Sequence, residues 1–202
     1  MQSETASINI DDAVLVRKAK RGDPAATERL IRKYQNRIYN TILKICANAD
    51  DAAELTQDTF VKIIENIDKF EARSSFYTWA FRIAVNLTLN YCQRDDKLGF
   101  RSLDADDTEY NEQAKQVLKD LLADDSSPDP AVVAQNKELC KIVIGAMMKL
   151  DEAHRTAIVL RDIEGMSYAQ IAEVLDIELG TVRSRLSRAR SNLREIMETF
   201  LQ

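Results

Sequence analysis

At 202 residues, 45% of them apolar, the chain is long enough for one or two domains with real hydrophobic cores. Five glycines and three prolines are few, and apolar residues recur at three and four positions rather than alternating, which excludes a β architecture and makes the fold class all-α. The formal net charge of −5, taken over the whole chain, argues against a nucleic-acid binder until it is divided by segment.

Taken in chain order, the first block reads as four helices. Helix one is expected from Asp11 to Arg21, with Asp11 or Asp12 as cap and Gly22 as stop. Asp23-Pro24, a cap followed by a first-turn proline, opens helix two, which runs to Cys46 with Leu30, Ile31, Tyr34, Ile38, Ile42 and Ile45 inward. Asp50 is the expected cap of helix three, Asp51 to Ile67. The stretch DKFEARSS reads as a loop. Ser74 or Ser75 then caps helix four, Phe76 to Arg94, in which Phe76, Trp79, Ala80, Ile83, Ala84, Leu87 and Tyr91 keep the three-four spacing.

Residues 95–135 break the pattern. They hold 4 basic and 11 acidic residues and the run SSPDP, and are read as a flexible acidic linker, with helical spacing from Tyr110 to Ala123 inside it. Residues 1–94 are net +2 and 136–202 net zero, so the chain's acidity belongs to this segment. The second block begins near Pro130 and holds about four helices. Gly165 ends one that spans Glu152 to Ile163, and Ser167 with Gln170 three residues on forms a capping-box pattern for the next. Tyr168, Ile171, Ala172 and Leu175 keep helical spacing, Asp176 to Gly180 break it, and a final helix follows. A short helix, a tight turn and a second helix make a helix-turn-helix.

That final helix carries the clearest chemistry. At about 100° per residue, Val182, Leu186, Ala189, Leu193 and Met197 form an apolar stripe, and Ser184, Ser187 and Ser191 lie opposite. Arg183, Arg190 and Arg194 flank the serines on one side, Arg185 and Arg188 on the other. From Gly180 to Arg194 there are five arginines and no acid. A merely solvated face gains from mixing signs at three and four, whereas small residues between two arginine rows suit the major groove and its phosphate walls. In the first block, Phe70, Arg73, Phe76, Tyr77, Trp79, Phe81, Arg82, Asn86 and Tyr91 interleave aromatic and basic side chains. Core packing claims Phe76 and Trp79, leaving Phe70 and Tyr77 as candidate contacts for unstacked bases, each stack being worth about 1–3 kcal/mol.

Other chemistries lack their residues. Cys46, Cys92 and Cys140 are unevenly placed with no CxxC and read as small core residues. His154 is the only histidine, too few for a zinc site or a nucleophilic triad, and reads as a surface helix position. No GxxxxGK[ST] loop appears. No catalytic residue, metal, cofactor or small-molecule substrate is therefore expected. No run of about 18 apolar residues exists and MQSETASINIDD does not resemble a signal peptide, so no membrane insertion is expected, and a cytoplasmic location is.

The stretches DAAELTQDTFVKI, FYTWAFRIAVN and LRDIEGMSYAQIAEVLDIELGTVRSRLSRAR resemble the extracytoplasmic-function group of bacterial RNA polymerase sigma factors in the sigma-70 family. The resemblance covers roughly 10–94 and 130–198. It implies sigma region 2 at 10–94, an acidic linker at 95–135 and sigma region 4 at 136–200, that is, two small helical domains on a tether. It implies core RNA polymerase as partner, with Glu54, Leu55, Gln57, Asp58 and Phe60 on the β′ clamp. It implies promoter DNA, melted at the minus-ten element by Asp68, Lys69, Phe70, Arg73, Tyr77, Arg82 and Asn86. The duplex minus-thirty-five element falls to Arg161, Thr181, Arg183, Ser184, Ser187 and Arg188. An anti-sigma protein is also implied. KFEARSS stands where many relatives carry a glycine-containing run, and Ser187 where some carry a large aromatic, so the base preferences stay open. From residues alone, two other readings stay open: a free-standing helix-turn-helix regulator with an effector domain, and a helical adaptor that touches no DNA.

Overall fold

The computed structural model of the chain describes residues 12–97 and 142–200, and within them every regular element is helical. Helix α1 covers 12–19 and turns at Gly22, whose φ of +81° suits glycine. Helix α2 (Pro24–Cys46) starts at Asp23, whose carboxylate accepts the Ala25 and Ala26 amides at 3.0 and 3.3 Å. Leu30, Tyr34, Ile38, Ile42 and Ile45 are buried along it, as their spacing predicted. Helix α3 (Ala49–Asn66) is capped by Asn48 rather than Asp50. Asn48 holds the extended conformation of a cap and accepts the Asp50 and Asp51 amides at 2.9 and 3.2 Å. Both aspartates thereby fall in the first turn, where carboxylates complement the helix dipole.

A 3-10 turn (Ile67–Lys69) and the loop 70–75 lead to α4 (Phe76–Lys97). Ser75 is its cap, its Oγ accepting the Thr78 amide at 3.0 Å, and the helix runs three residues past the expected Arg94. Helices α2, α3 and α4 pack mutually around Ile38, Ile42, Ala52, Ala80, Phe81, Ala84 and Val85, all without solvent exposure. The alanines let the helices approach, and each buried large side chain contributes about 1.5–3 kcal/mol.

In the second unit α5 covers 142–148 and α6 spans Glu152–Ile158. The single helix expected to Ile163 instead widens into a π segment (Val159–Ile163), because the Glu164 amide bonds Val159 O, five residues back, at 2.9 Å. Gly165, with φ +70°, ends it. Helix α7 (Tyr168–Leu175) has both bonds of the capping box: Ser167 Oγ accepts the Gln170 amide at 3.2 Å, and Gln170 Oε1 accepts the Ser167 amide at 2.9 Å. After a turn at Asp176 (φ +55°), α8 (Leu179–Phe200) takes in Leu179 and Gly180, the last two residues of the expected break. Its Val182, Leu186 and Ala189 are buried and Leu193 and Met197 half-buried, the predicted stripe. The two units touch: α7 lies against α4, and α6 with the π segment against α2. The first three residues of the proposed linker, 95–97, belong to α4; the rest of it, its Tyr110–Ala123 helix and Cys140 lie outside the described residues.

Candidate nucleic-acid interface

The apolar stripe of α8 faces α6 and α7, so its opposite face is left to solvent. Thr181, Arg183, Ser184, Ser187 and Arg188 are all exposed there. Ser184 Oγ donates to Thr181 O at 3.1 Å. Arg190 is held by Asp162 in a two-bond pair (2.6 and 3.2 Å), whereas Arg183 and Arg188 form no ion pair among the described residues. A cleft of about 370 Å³ separates this face from Tyr168, with Arg183, Ser187, Arg190 and Arg194 on its wall. Arg161 is half-buried at the entry to the helix-turn-helix. Its Nη1 donates to Met166 O at 2.6 Å and its guanidinium lies 5.1 Å from the Tyr168 ring centre, which fixes the path of the chain into α7.

The first unit divides the residues singled out there. Asp68, Lys69 and Arg73 are exposed. Lys69 Nζ donates to Asn66 Oδ1 at 2.9 Å, and Arg73 pairs with Glu71 at 2.6 Å. Phe70 is buried, 7% exposed, with its ring edge-on to Phe76 at 5.9 Å and 5.1 Å from Trp79. Tyr77 is half-buried against Phe81 (4.3 Å between rings), and burial pushes its phenol pKa up. Arg82 pairs with Asp176 of the second unit at 3.4 Å. Asn86 is exposed and lines a concavity of about 400 Å³ with Lys62, Asn66, Lys69, Trp79 and Asn90. Amides, ammonium groups and one indole wall are what an unstacked base requires for edge recognition and stacking.

Three features escaped the sequence reading. Lys62, Asn66 and Asn90 join Asn86 at the concavity, because two pairs spaced by four, on α3 and α4, face one another. That spacing was readable; the pairing of the two faces was not. Trp79, assigned by spacing to the core, also walls this concavity. Lys20 reaches across from the end of α1 to donate to Asp68 O at 3.1 Å and Phe70 O at 2.5 Å, tying down the loop from a position about fifty residues away. In the same loop Ala72 has φ +55°, a conformation that favours glycine.

The five positions expected to meet polymerase split by face of α3. Glu54, Gln57 and Asp58 are exposed, whereas Leu55 and Phe60 are buried and hold the helix onto α2 and α4. Val61 and Ile64, 45% and 48% exposed, share the outer face with Glu54 and Asp58. Apolar residues off the core stripe were the available signal for them. Among the described residues no group of three or more His, Cys, Asp or Glu side chains could hold a metal ion, and no helix is long and apolar enough to cross a membrane. Cys46 and Cys92 are buried, and His154 is half-buried beside Asp151.

Residues 30–98 match the family Sigma-70 region 2, and residues 141–193 match Sigma-70, region 4. RNA polymerase sigma-H factor of Pseudomonas aeruginosa is 34% identical over 192 residues, covering 95% of this chain and 96% of that one. The ECF RNA polymerase sigma-E factor of Escherichia coli K12 is 35% identical over 185 residues, 91% and 93% of the two chains. Among solved structures, CnrH in complex with the cytosolic domain of CnrY superimposes with a TM-score of 0.65 at 23% identity, over 94% of this chain and 98% of that one. RpoE of Bartonella quintana, solved with the anti-sigma factor NepR, gives 0.58 at 22% identity, over 85% and 96%. At those identities the structures attest the fold.

Proposed function

The chain belongs to the sigma-70 family of RNA polymerase sigma factors, in its extracytoplasmic-function group, and from that premise we propose how its residues divide the work of starting transcription. It binds core RNA polymerase and directs it to promoters. Residues 10–94 dock on the polymerase and open the minus-ten element, 95–135 form the tether, and 136–200 read the minus-thirty-five element.

One observation carries this division: the chain has two reading surfaces of opposite build. The α8 face is the exposed side of a single basic helix, with small residues between arginines, and suits duplex DNA. Arg183 and Arg188 reach base edges, where one bidentate arginine–guanine contact is worth about 1–3 kcal/mol of discrimination, and Ser184, Ser187 and Thr181 line the approach. The surface between α3 and α4 is concave, with Asn86, Lys69 and Trp79 around an opening fit for a single base. Extruding a base costs a few kcal/mol, which stacking on Trp79 and polar contacts from the asparagines and lysines offset. Asp68, Phe70, Arg73, Tyr77 and Arg82 complete the minus-ten set: Phe70 packs behind Trp79, while Tyr77 and Arg82 lie toward the second unit. Glu54, Gln57, Asp58, Val61 and Ile64 offer polymerase a helix face with an apolar centre and an acidic rim.

Opening is driven by binding, so the factor is not an enzyme and uses no cofactor. Its place of work is the cytoplasm, with polymerase. An anti-sigma protein is its regulator, supported by family membership and by the anti-sigma factor NepR bound to the Bartonella quintana protein of like fold. The test is run-off transcription: purified chain with purified core polymerase on genomic fragments yields discrete transcripts that core alone does not make. Absence of any start on all fragments, with polymerase and chain demonstrably bound to each other, overturns the assignment.

A further inference from the structure

Glu164, just past the π segment, projects out of the second unit into the first, and its side chain is 5% exposed. Oε2 accepts from Arg37 Nε at 2.6 Å and from Tyr77 Oη at 3.3 Å, and Oε1 lies 2.9 Å from Thr41 Oγ1. The Glu164 carbonyl accepts a second bond from Arg37, Nη2, at 3.0 Å. Thr41 Oγ1 is also 2.9 Å from Arg37 O, so its one proton serves either acceptor. Arg37 stacks over the Tyr77 ring at 4.6 Å. Lys44 is buried one turn beyond Thr41 on the same face of α2; burial pushes its pKa down and Glu164 pulls it back up. The first unit thus presents a socket of cations and hydroxyls on α2 and α4, and the second unit supplies one carboxylate plug. Two weaker contacts flank it, Gln170 Nε2 to Thr78 Oγ1 and Arg82 to Asp176, both at 3.4 Å.

We propose that this plug holds the free chain closed and unable to read a promoter, and that core polymerase must draw Glu164 from its socket for both readers to work. What is withheld rests on the residue roles given under Proposed function; the closure itself does not. The first argument is occupancy. Closure places α7 on α4 and engages Tyr77 and Arg82, which lie on the minus-ten side. The second is reach. Elements about 25 base pairs apart lie roughly 85 Å apart along B-DNA at about 3.4 Å per pair. The 22-residue α8 is about 33 Å long, and units in direct contact do not span that distance. The third is the chemistry of the seam. The Glu164 carboxylate is 5% exposed and the Arg37 side chain 49%, so the pair fixes geometry more than it adds net stability, because separation returns the carboxylate to water. A seam of that kind is specific while closed and separable when a partner competes for either face.

The experiment uses the full chain and charge reversal: Arg37→Glu, Glu164→Arg and the double swap. Neither residue lies on the polymerase face of α3 or on a reading surface. Solution X-ray scattering gives the radius of gyration, and competition for core polymerase gives relative affinity. Each single reversal is expected to expand the chain and to tighten core binding about tenfold or more, since wild type spends most of its time closed. The double swap rebuilds the pair with reversed polarity and is expected to return both readings toward wild type. Singles as compact as wild type, or a double as open as the singles, overturn the proposal. Should a reversal unfold the second unit by circular dichroism, Glu164→Gln keeps shape and removes charge, and an unchanged radius there overturns it as well. Compaction that appears only with dimer sedimentation assigns the plug to a second copy and overturns the intramolecular version. Were the promoter roles wrong and the latch right, the radii would follow this series while no variant directed a start.

Discussion

Lys20 offers the sharpest test of how the proposed minus-ten loop is held. Its ammonium is the described side-chain anchor for the Asp68 and Phe70 carbonyls, at 3.1 and 2.5 Å. Lys20→Met keeps the apolar stem and removes the charge. A hydrogen bond to a charged group contributes about 1.5–3 kcal/mol. The bond to Phe70 is part-buried and takes a value near the lower end of that range, while the bond to Asp68 is exposed and adds little. The loop therefore loses about 1.5–2 kcal/mol of anchoring, which is roughly 10- to 30-fold in the population of released loop. Permanganate reactivity of minus-ten thymines in the open complex reads the consequence. It is expected to fall by a comparable factor while core binding, read by competition, stays at wild type. Lys20→Arg, which reaches the same carbonyls with several donors, is expected to restore most of the reactivity. Full reactivity in Lys20→Met, or loss of core binding along with it, would refute the view that this side chain acts by holding the loop.

Three further outcomes follow from single positions. Ala72→Gly relieves a left-handed alanine and is expected to raise the urea midpoint by the equivalent of about 0.5–1 kcal/mol without changing the slope; a lower midpoint would mean the loop is unstrained. Ile64→Asp, at a position 48% exposed, should weaken binding to core polymerase at least about tenfold, the scale of one buried side chain, with the melting temperature unchanged. Equal affinity would remove the apolar centre from the docking face. Arg188→Ala in holoenzyme should cost about 1–3 kcal/mol at one base pair of the minus-thirty-five element if the side chain reads a base. It should instead weaken all sequences equally and lower the salt slope by about one if it contacts phosphate.

The helices were legible because their signals are local. Asp23-Pro24, Ser167 with Gln170, and the three-four spacing of Val182, Leu186 and Ala189 each act within one or two turns, and each appears where expected. The α3 cap was misplaced because Asn48 and Asp50 are both competent caps two residues apart, and the choice depends on where the chain leaves Ala47 (φ +65°). The π segment has no periodic signature: one five-residue hydrogen bond, from Glu164 to Val159, separates it from an ordinary helix. Glu164 itself reads as an unremarkable acid before a helix-ending glycine, and its meaning comes from Arg37, 127 residues away. Of the polymerase-facing set, Leu55 and Phe60 are buried in the core of the first unit, a placement that a linear motif does not reveal.

The closed chain is asymmetric in what it hides. Tyr77 and Arg82 are engaged at the seam and Phe70 is turned into the aromatic cluster, yet Arg183 and Arg188 stay exposed. A cationic helix in that state still attracts duplex, but only within the roughly 8–10 Å that physiological salt leaves unscreened. The net −7 of residues 95–135 travels on the same chain and repels phosphate. Under the proposed latch, weak duplex attraction without access to a single strand lets the free factor release DNA quickly and accumulate on polymerase instead. Specific reading under that proposal begins only after α3 has docked and the seam has parted, so that both readers address one promoter together. If that order holds, deleting the acidic segment's charges should raise the free chain's affinity for arbitrary duplex at low salt and leave the open-complex rate of preassembled holoenzyme unchanged. A change in the second quantity alone would place the segment's action inside polymerase rather than in the free chain.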